Sequence, residues 1–192
     1  MRTEIFELLD GARKARGTAV IIDVFRAFSL EPFVLAQNAA SLTAVGKIET
    51  AFEIKARQPE TVLIGERHGK KIDGFDYGNS PASVNGVDFS GKHAVHTTSA
   101  GTQGLAAAVH ADRLYAASLV NAAATANVIA AENPDCVSLV CMGWEGKKFF
   151  DPAQAEVFPE PDFWLCVDPD RFDFAIEAVP CDNGFRMKAV KP

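Results

Sequence analysis

Residues 18–25 read TAVIIDVF. β-branched residues crowd an apolar run that stops at an acid, Asp23. An unbroken run of this kind is the pattern of a strand buried on both faces. ETVLIGE (60–66), HAVHTT (93–98), RLYAASLV (113–120) and CVSLVCMG (136–143) repeat it. Helical stretches lie between several of them. KIETAFEIKAR (47–57) sets Ile48, Ala51 and Phe52 on one face. TQGLAAAVHA (102–111) and AAATANVIAAE (122–132) are Ala-rich, and Asn121 stands where it can cap the second. Strands alternating with helices predict an α/β protein with parallel pairing and helices on the sheet faces. Further on, FFDPAQAEVFPEPDFW (149–164) is broken by prolines and reads as irregular. VDPDRFDFAIEA (167–178) reads as a helix, with Asp168 as cap and Pro169 in its first turn.

The 192 residues carry no repeat and no low-complexity tract, and read as one domain spanning 1–192. At 48% hydrophobic the chain can bury a sizeable core, and a net charge of −6 gives no basic field for nucleic acid or an anionic membrane. MRTEIFELLDGARKARG at the start lacks the apolar core of a secretory signal, and no apolar run approaches a membrane span. The expected place is the cytoplasm, with Cys136, Cys141, Cys166 and Cys181 as reduced, buried thiols.

Three stretches carry candidate chemistry. Asp23 ends a buried strand, where α/β sheets build their sites; it also suits a helix cap or an ion pair with Arg26. GERHGKKIDGFDYGNSP (65–81) belongs to a long aperiodic segment, and such segments inside compact domains are usually functional. Its Glu66, Asp73, Asp76, Asn79 and Ser80 are hard oxygen donors of the kind magnesium takes, and Arg67, Lys70 and Lys71 suit an anion. A solvated polar loop is the alternative. In HTTSAGTQGL (96–105), Thr97 and Thr98 end a strand, Gly101 permits close backbone approach and Thr102 opens a helix. Amides and hydroxyls so arranged can hold a phosphate. His68 in the polar loop can act as an acid or an anion contact, while the other histidines pack or face solvent. Neither DxDxT nor GxxxxGK[ST] occurs, which leaves two common phosphate chemistries unsupported.

In this order, DVFRA, GER.G..I.GFD.GNSP, TT..GT and C.G resemble the 2-phosphosulfolactate phosphatase (ComB-like) family, from Asp23 to Gly143. GFDYGNSP is the most specific segment. The resemblance implies a three-layer α/β/α fold with a mostly parallel or mixed central sheet. It implies a Mg²⁺-dependent acid phosphatase that hydrolyses 2-phosphosulfolactate to sulfolactate and phosphate, a step of coenzyme M biosynthesis. Carried over by position, it puts Asp23, Arg26, Glu66, Arg67 and Asp76 in catalytic roles, with Asp23, Glu66 and Asp76 as the metal-ligand candidates. It puts Asn79, Ser80, Thr97, Thr98, Gly101, Thr102 and Asn121 on the substrate. The implied partner is a small anionic phosphorylated molecule, with a homo-oligomer as the family habit.

The chain also departs from the family pattern. A Glu-Asp pair and an Ala-Gly helix follow the Cys-x-Gly strand in the family; here Phe150 stands in the place of the first acid and Asp151 in that of the second. TTTNGT becomes HTTSAGT, so His96 replaces a threonine. The alternative function is therefore a non-catalytic or re-purposed homologue that binds a phosphorylated or sulfonated metabolite. Either reading requires segments 23–26, 66–81 and 97–102 to converge at one edge of the sheet.

Overall fold

The computed structural model describes residues 1–143 and 150–192. Ten strands form one mixed sheet. In chain order they are β1 (Arg2–Glu7), β2 (Gly17–Ile22), β3 (Ser41–Ala44), β4 (Val62–Arg67), β5 (Lys70–Lys71), β6 (His93–Thr97), β7 (Ala111–Ala117), β8 (Cys136–Cys141), β9 (Ala175–Cys181) and β10 (Gly184–Val190). The helices are α1 (Leu8–Lys14), α2 (Ala27–Ala36), α3 (Ile48–Arg57), α4 (Pro81–Val84), α5 (Gly101–Ala107), α6 (Ala122–Glu132) and α7 (Glu160–Cys166).

Alternating side chains along the strands build three layers. Ile21, Ile64, Ala94 and Ala116 join Phe28, Leu30 and Phe33 of α2 and Leu105 of α5 in the main core. Their neighbours point to the other face. Val20, Tyr115 and Val137 pack with Val128 and Ile129 of α6, and Leu63 and Val95 pack with Ala51 of α3. The expected three-layer α/β/α architecture is present, and its central sheet is mixed.

Across the sheet the order is β1-β8-β2-β7-β9-β10-β3-β6-β4-β5. β1, β8, β2 and β7 are parallel, and so are β3, β6 and β4. The hairpin β9–β10 joins the two blocks through three antiparallel pairings. Three reversals make the blocks run in opposite senses. The carboxyl ends of β2 and β4 nevertheless supply one crevice, Asp23 from just past the first and Glu66 from near the end of the second. The site is thus a meeting of two blocks rather than one straight edge.

The hairpin corrects the helix expected over 167–178. Phe172, Phe174, Ile176 and Ala178 recur every second residue, and the last three are buried in the main core. That is a strand period. Asp168 pairs with Arg171 at 2.8 Å instead of capping a helix. The stretch expected to be irregular contains a 3₁₀ turn at Pro152–Gln154 and the helix α7. Of the four free thiols only Cys166 is buried; burial lifts its pKa to about 12. Cys141 and Cys181 end strands and are exposed, contrary to expectation. Among the described residues no helix is long and apolar enough to cross a membrane.

Candidate active site

Asp23 follows β2 directly. Its backbone N–H donates to Ala117 O on β7 and its carbonyl accepts from Phe28 N on α2, at 3.1 Å each. The residue is 2% exposed. It lines a crevice with Arg26, Glu66, Asn79, Ser99 and Phe158. Four expected site residues therefore meet there: Asp23, Arg26, Glu66 and Asn79. Gly101 fits against the same acid. A Cβ on Gly101 would stand 3.0 Å from Asp23 Oδ2 and 2.8 Å from the Ala27 Cβ. No ordinary side chain fits that contact, which explains the glycine at the head of α5.

Arg26 is 3% exposed and follows a cis peptide bond. It pairs with Asp162, not with Asp23: Nη1 donates to Oδ2 at 2.7 Å. Nη2 donates to Gly69 O at 3.4 Å, and the guanidinium lies 5.2 Å from the Phe158 ring centroid. Asp162 is fully buried on α7 and accepts also from Ser80 Oγ (2.8 Å) and Ala82 N (2.9 Å). Ser80 thus serves the site through Asp162, and it caps α4 by accepting from Ser83 N.

Asp162 was missed in the sequence. Its signal is an acid set in an aromatic and apolar run, PDFWLC, where a charge needs a buried partner. Asp151, expected to be the surviving late acid, instead accepts from Ala153 N at the 3₁₀ turn.

Glu66 clamps two loops. Oε1 accepts from Ser99 N at 2.6 Å, and Oε2 accepts from Gly69 N at 2.6 Å and Ser99 Oγ at 3.1 Å. Asn79 is 6% exposed, and its Oδ1 is buried with no hydrogen-bond partner. A buried acceptor left unmet is costly, so it marks a place for a ligand atom.

Other expected residues stand elsewhere. Asp76 does not reach the crevice. Its Oδ2 accepts from Leu63 N (2.8 Å) and Lys55 Nζ (2.9 Å), back along β4. Burial alone would raise its pKa, but the Leu63 amide and Lys55 outweigh it and hold the carboxyl below its usual range. Arg67 braces strand ends, donating to Glu66 O, Gly46 O and Thr97 Oγ1. Partial burial lowers its pKa. Thr98 and Thr102 hydroxyls accept each other's backbone N–H, at 3.2 and 2.9 Å. The threonines expected on a phosphate are thus turned inward to close the loop, and Ser99 and Ala100 line the crevice instead.

Asn121 does not cap α6 with its side chain. Its Oδ1 reaches back to accept from Ser118 N at 3.0 Å, outside the crevice. Lys71 Nζ donates to Phe75 O, and Lys70 and His68 are exposed. His96 is fully buried and faces Glu31 at 2.9 Å, where burial lifts the Glu31 carboxyl. This is the packed role expected of a histidine outside the loop.

Two carboxylates and one amide oxygen therefore line the crevice. Among the described residues no group of three or more His, Cys, Asp or Glu is set for a metal. The donors still fit a hard cation such as Mg²⁺, which takes one or two carboxylates and keeps several waters. The orphaned Asn79 oxygen is the structural sign of that fit.

Fold and site define a three-layer α/β protein whose crevice gathers acid and amide oxygens beside an arginine. The chain belongs to the 2-phosphosulpholactate phosphatase family, whose model matches residues 4–153. It is 38% identical over 138 residues to a "Probable 2-phosphosulfolactate phosphatase" of Deinococcus radiodurans, covering 71% of this chain and 58% of that one. A protein of the same description from Caldicellulosiruptor saccharolyticus is 39% identical over 133 residues, covering 67% and 55%. One from Thermoplasma acidophilum is 36% identical over 110 residues, covering 57% and 50%. The chain spans about half the length of these curated relatives. Asp162 lies beyond the residues matched by the family model.

Proposed function

We propose that this chain is a Mg²⁺-dependent phosphoric monoester hydrolase of the cytoplasm, acting on 2-phosphosulfolactate to give sulfolactate and phosphate in coenzyme M biosynthesis. The names of its relatives and the membership of residues 4–153 in the family support the reaction class. The observation that carries the reading is the convergence of Asp23, Glu66 and the unpartnered Asn79 oxygen beside Arg26. On this reading Asp23 and Asn79 hold the cation, and Glu66 completes the set while it clamps the loops. Bound there, Mg²⁺ polarises the phosphoryl oxygen and offsets charge on the leaving alkoxide. Asp23 is the acid placed to ligate the cation or to attack phosphorus. Arg26 faces the phosphoryl oxygens, and Asp162 fixes its direction. Phe158 excludes water from the crevice, which strengthens each of these interactions. The partners are the small anionic substrate and, following the family habit, further copies of the chain.

The test is phosphate release from 2-phosphosulfolactate by the full chain, before and after EDTA and again with Mg²⁺ restored. The expected result is turnover that EDTA abolishes and Mg²⁺ recovers. A second reading, a non-catalytic homologue that binds a phosphorylated or sulfonated metabolite, draws on the Asp162 carboxylate that already neutralises Arg26. It predicts no phosphate release, but a rise in Tm with the same compound.

A further inference from the structure

At the starts of β3, β6 and β4, away from the Asp23 crevice, lies a cavity of about 230 Å³. It lies on the α3 side of the sheet. Ser41, Thr43 and His93 come from the strand starts, Gln58 and Thr61 from the end of α3 and the turn after it, and Asn183 and Arg186 from the β9–β10 hairpin. The hairpin register sets Arg186 directly opposite Thr43, so the two side chains share a face.

Two observations single this cavity out. Thr61 is 2% exposed, and its Oγ1 is buried with no hydrogen-bond partner. Arg186 makes no ion pair among the described residues, although Asp182 lines the same cavity. Ser41 and His93 are already satisfied by each other at 2.8 Å. The rest of the lining is rich in donors: the Arg186 guanidinium, the Gln58 and Asn183 amides, and the hydroxyls of Thr43 and, beneath the surface, Thr61. With a single carboxylate it is a poor cation site. A guanidinium fork with neighbouring hydroxyls and amides is the chemistry that recognises tetrahedral or carboxylate oxyanions. One water needs about 10–15 Å³ of such space, so the cavity has room for a larger group.

We propose that this cavity is a second binding site, for a small oxyanion such as phosphate, with Arg186 as the anchoring charge and Thr61 Oγ as a donor from the floor. It lies outside the residues that build the Asp23 crevice and does not depend on the phosphatase reading.

The test is a titration of the full chain with inorganic phosphate, followed residue by residue through backbone amide NMR shifts. Saturating shifts are expected at Thr61 and Asn183–Arg186, separately from any at Ser99–Gly101. Arg186→Ala, an exposed position that leaves the core intact, should weaken the hairpin response by about tenfold or more and leave the crevice response alone. Thr61→Val, which keeps the shape and removes the hydroxyl, should weaken it less. The proposal is overturned by the absence of hairpin shifts up to about 10 mM phosphate, which lies beyond millimolar affinity. It is equally overturned by shifts confined to Ser99–Gly101, or by hairpin shifts unchanged in Arg186→Ala.

Discussion

Arg26 and Arg67 stand just past, or at, the carboxyl ends of strands that run in opposite senses, β2 and β4. In the sequence they look alike, as cations beside acids in loops. Arg26 is nearly inaccessible and ion-paired with the buried Asp162. Arg67 is half-buried and donates only to two carbonyls and a hydroxyl. The first is fixed by a charge from a distant helix, the second by the neutral ends of its own parallel block. Isolated charge is costly in a core, so an arginine's fate depends on which acid the topology delivers.

Breaking the Arg26 arrangement should have the largest effect. Asp162→Ala leaves a buried guanidinium without its counter-charge and strips the acceptor from Ser80 and Ala82. We expect a loss of about 3–5 kcal/mol, read from urea unfolding midpoints. A loss below about 1 kcal/mol, the range of an exposed pair, would show that the pair does not anchor the crevice. Arg67→Ala removes bonds to uncharged partners only, and should cost about 1.5–3 kcal/mol. If the two variants reverse in order, the contrast between the arginines fails.

The smallest effect belongs to Asp76, an acid of the 66–81 segment that stands away from the crevice. Asp76→Asn should leave phosphate release unchanged within about twofold and cost under about 1 kcal/mol, because the Lys55 pair is partly exposed and the asparagine oxygen can still accept from Leu63 N. Its pH dependence has a definite sign. The folded-state pKa lies below the unfolded one, so the contribution is present above about pH 4 and fades as pH falls through the folded value. The midpoints of wild type and Asp76→Asn should therefore converge in acid. Lost activity in this variant would return Asp76 to the site.

These contrasts show what the sequence could reveal. Unbroken apolar runs announced β2, β4, β6, β7 and β8, because burial on both faces leaves a local signature; a one-faced period announced α3, and Ala-rich stretches announced α5 and α6. The β9–β10 hairpin was hidden by Asp168-Pro169, which imitates a helix start, although Phe172, Phe174, Ile176 and Ala178 already kept a period of two. Asp23 was legible as an acid at a strand end, Glu66 and Asn79 as oxygen donors of the 65–81 segment, and Arg26 through the family resemblance. Their partners were not. Asp76 and Glu66 are ten residues apart on similar loop ground, and only the return of the chain past Lys55 separates them. Asp162 comes from 136 positions beyond Arg26, and the inward closure of Thr98 on Thr102 depends on backbone conformation that residue types alone do not specify.

The central claim is that Asp23 sits at the reacting centre of the crevice. The most direct measurement is phosphate release from 2-phosphosulfolactate by Asp23→Asn at saturating Mg²⁺, with the fold checked by an unchanged unfolding midpoint. The account predicts a fall of about a thousandfold or more, the scale of losing a metal ligand or nucleophile. Activity within about twofold of wild type, well under 1 kcal/mol in barrier, would contradict it.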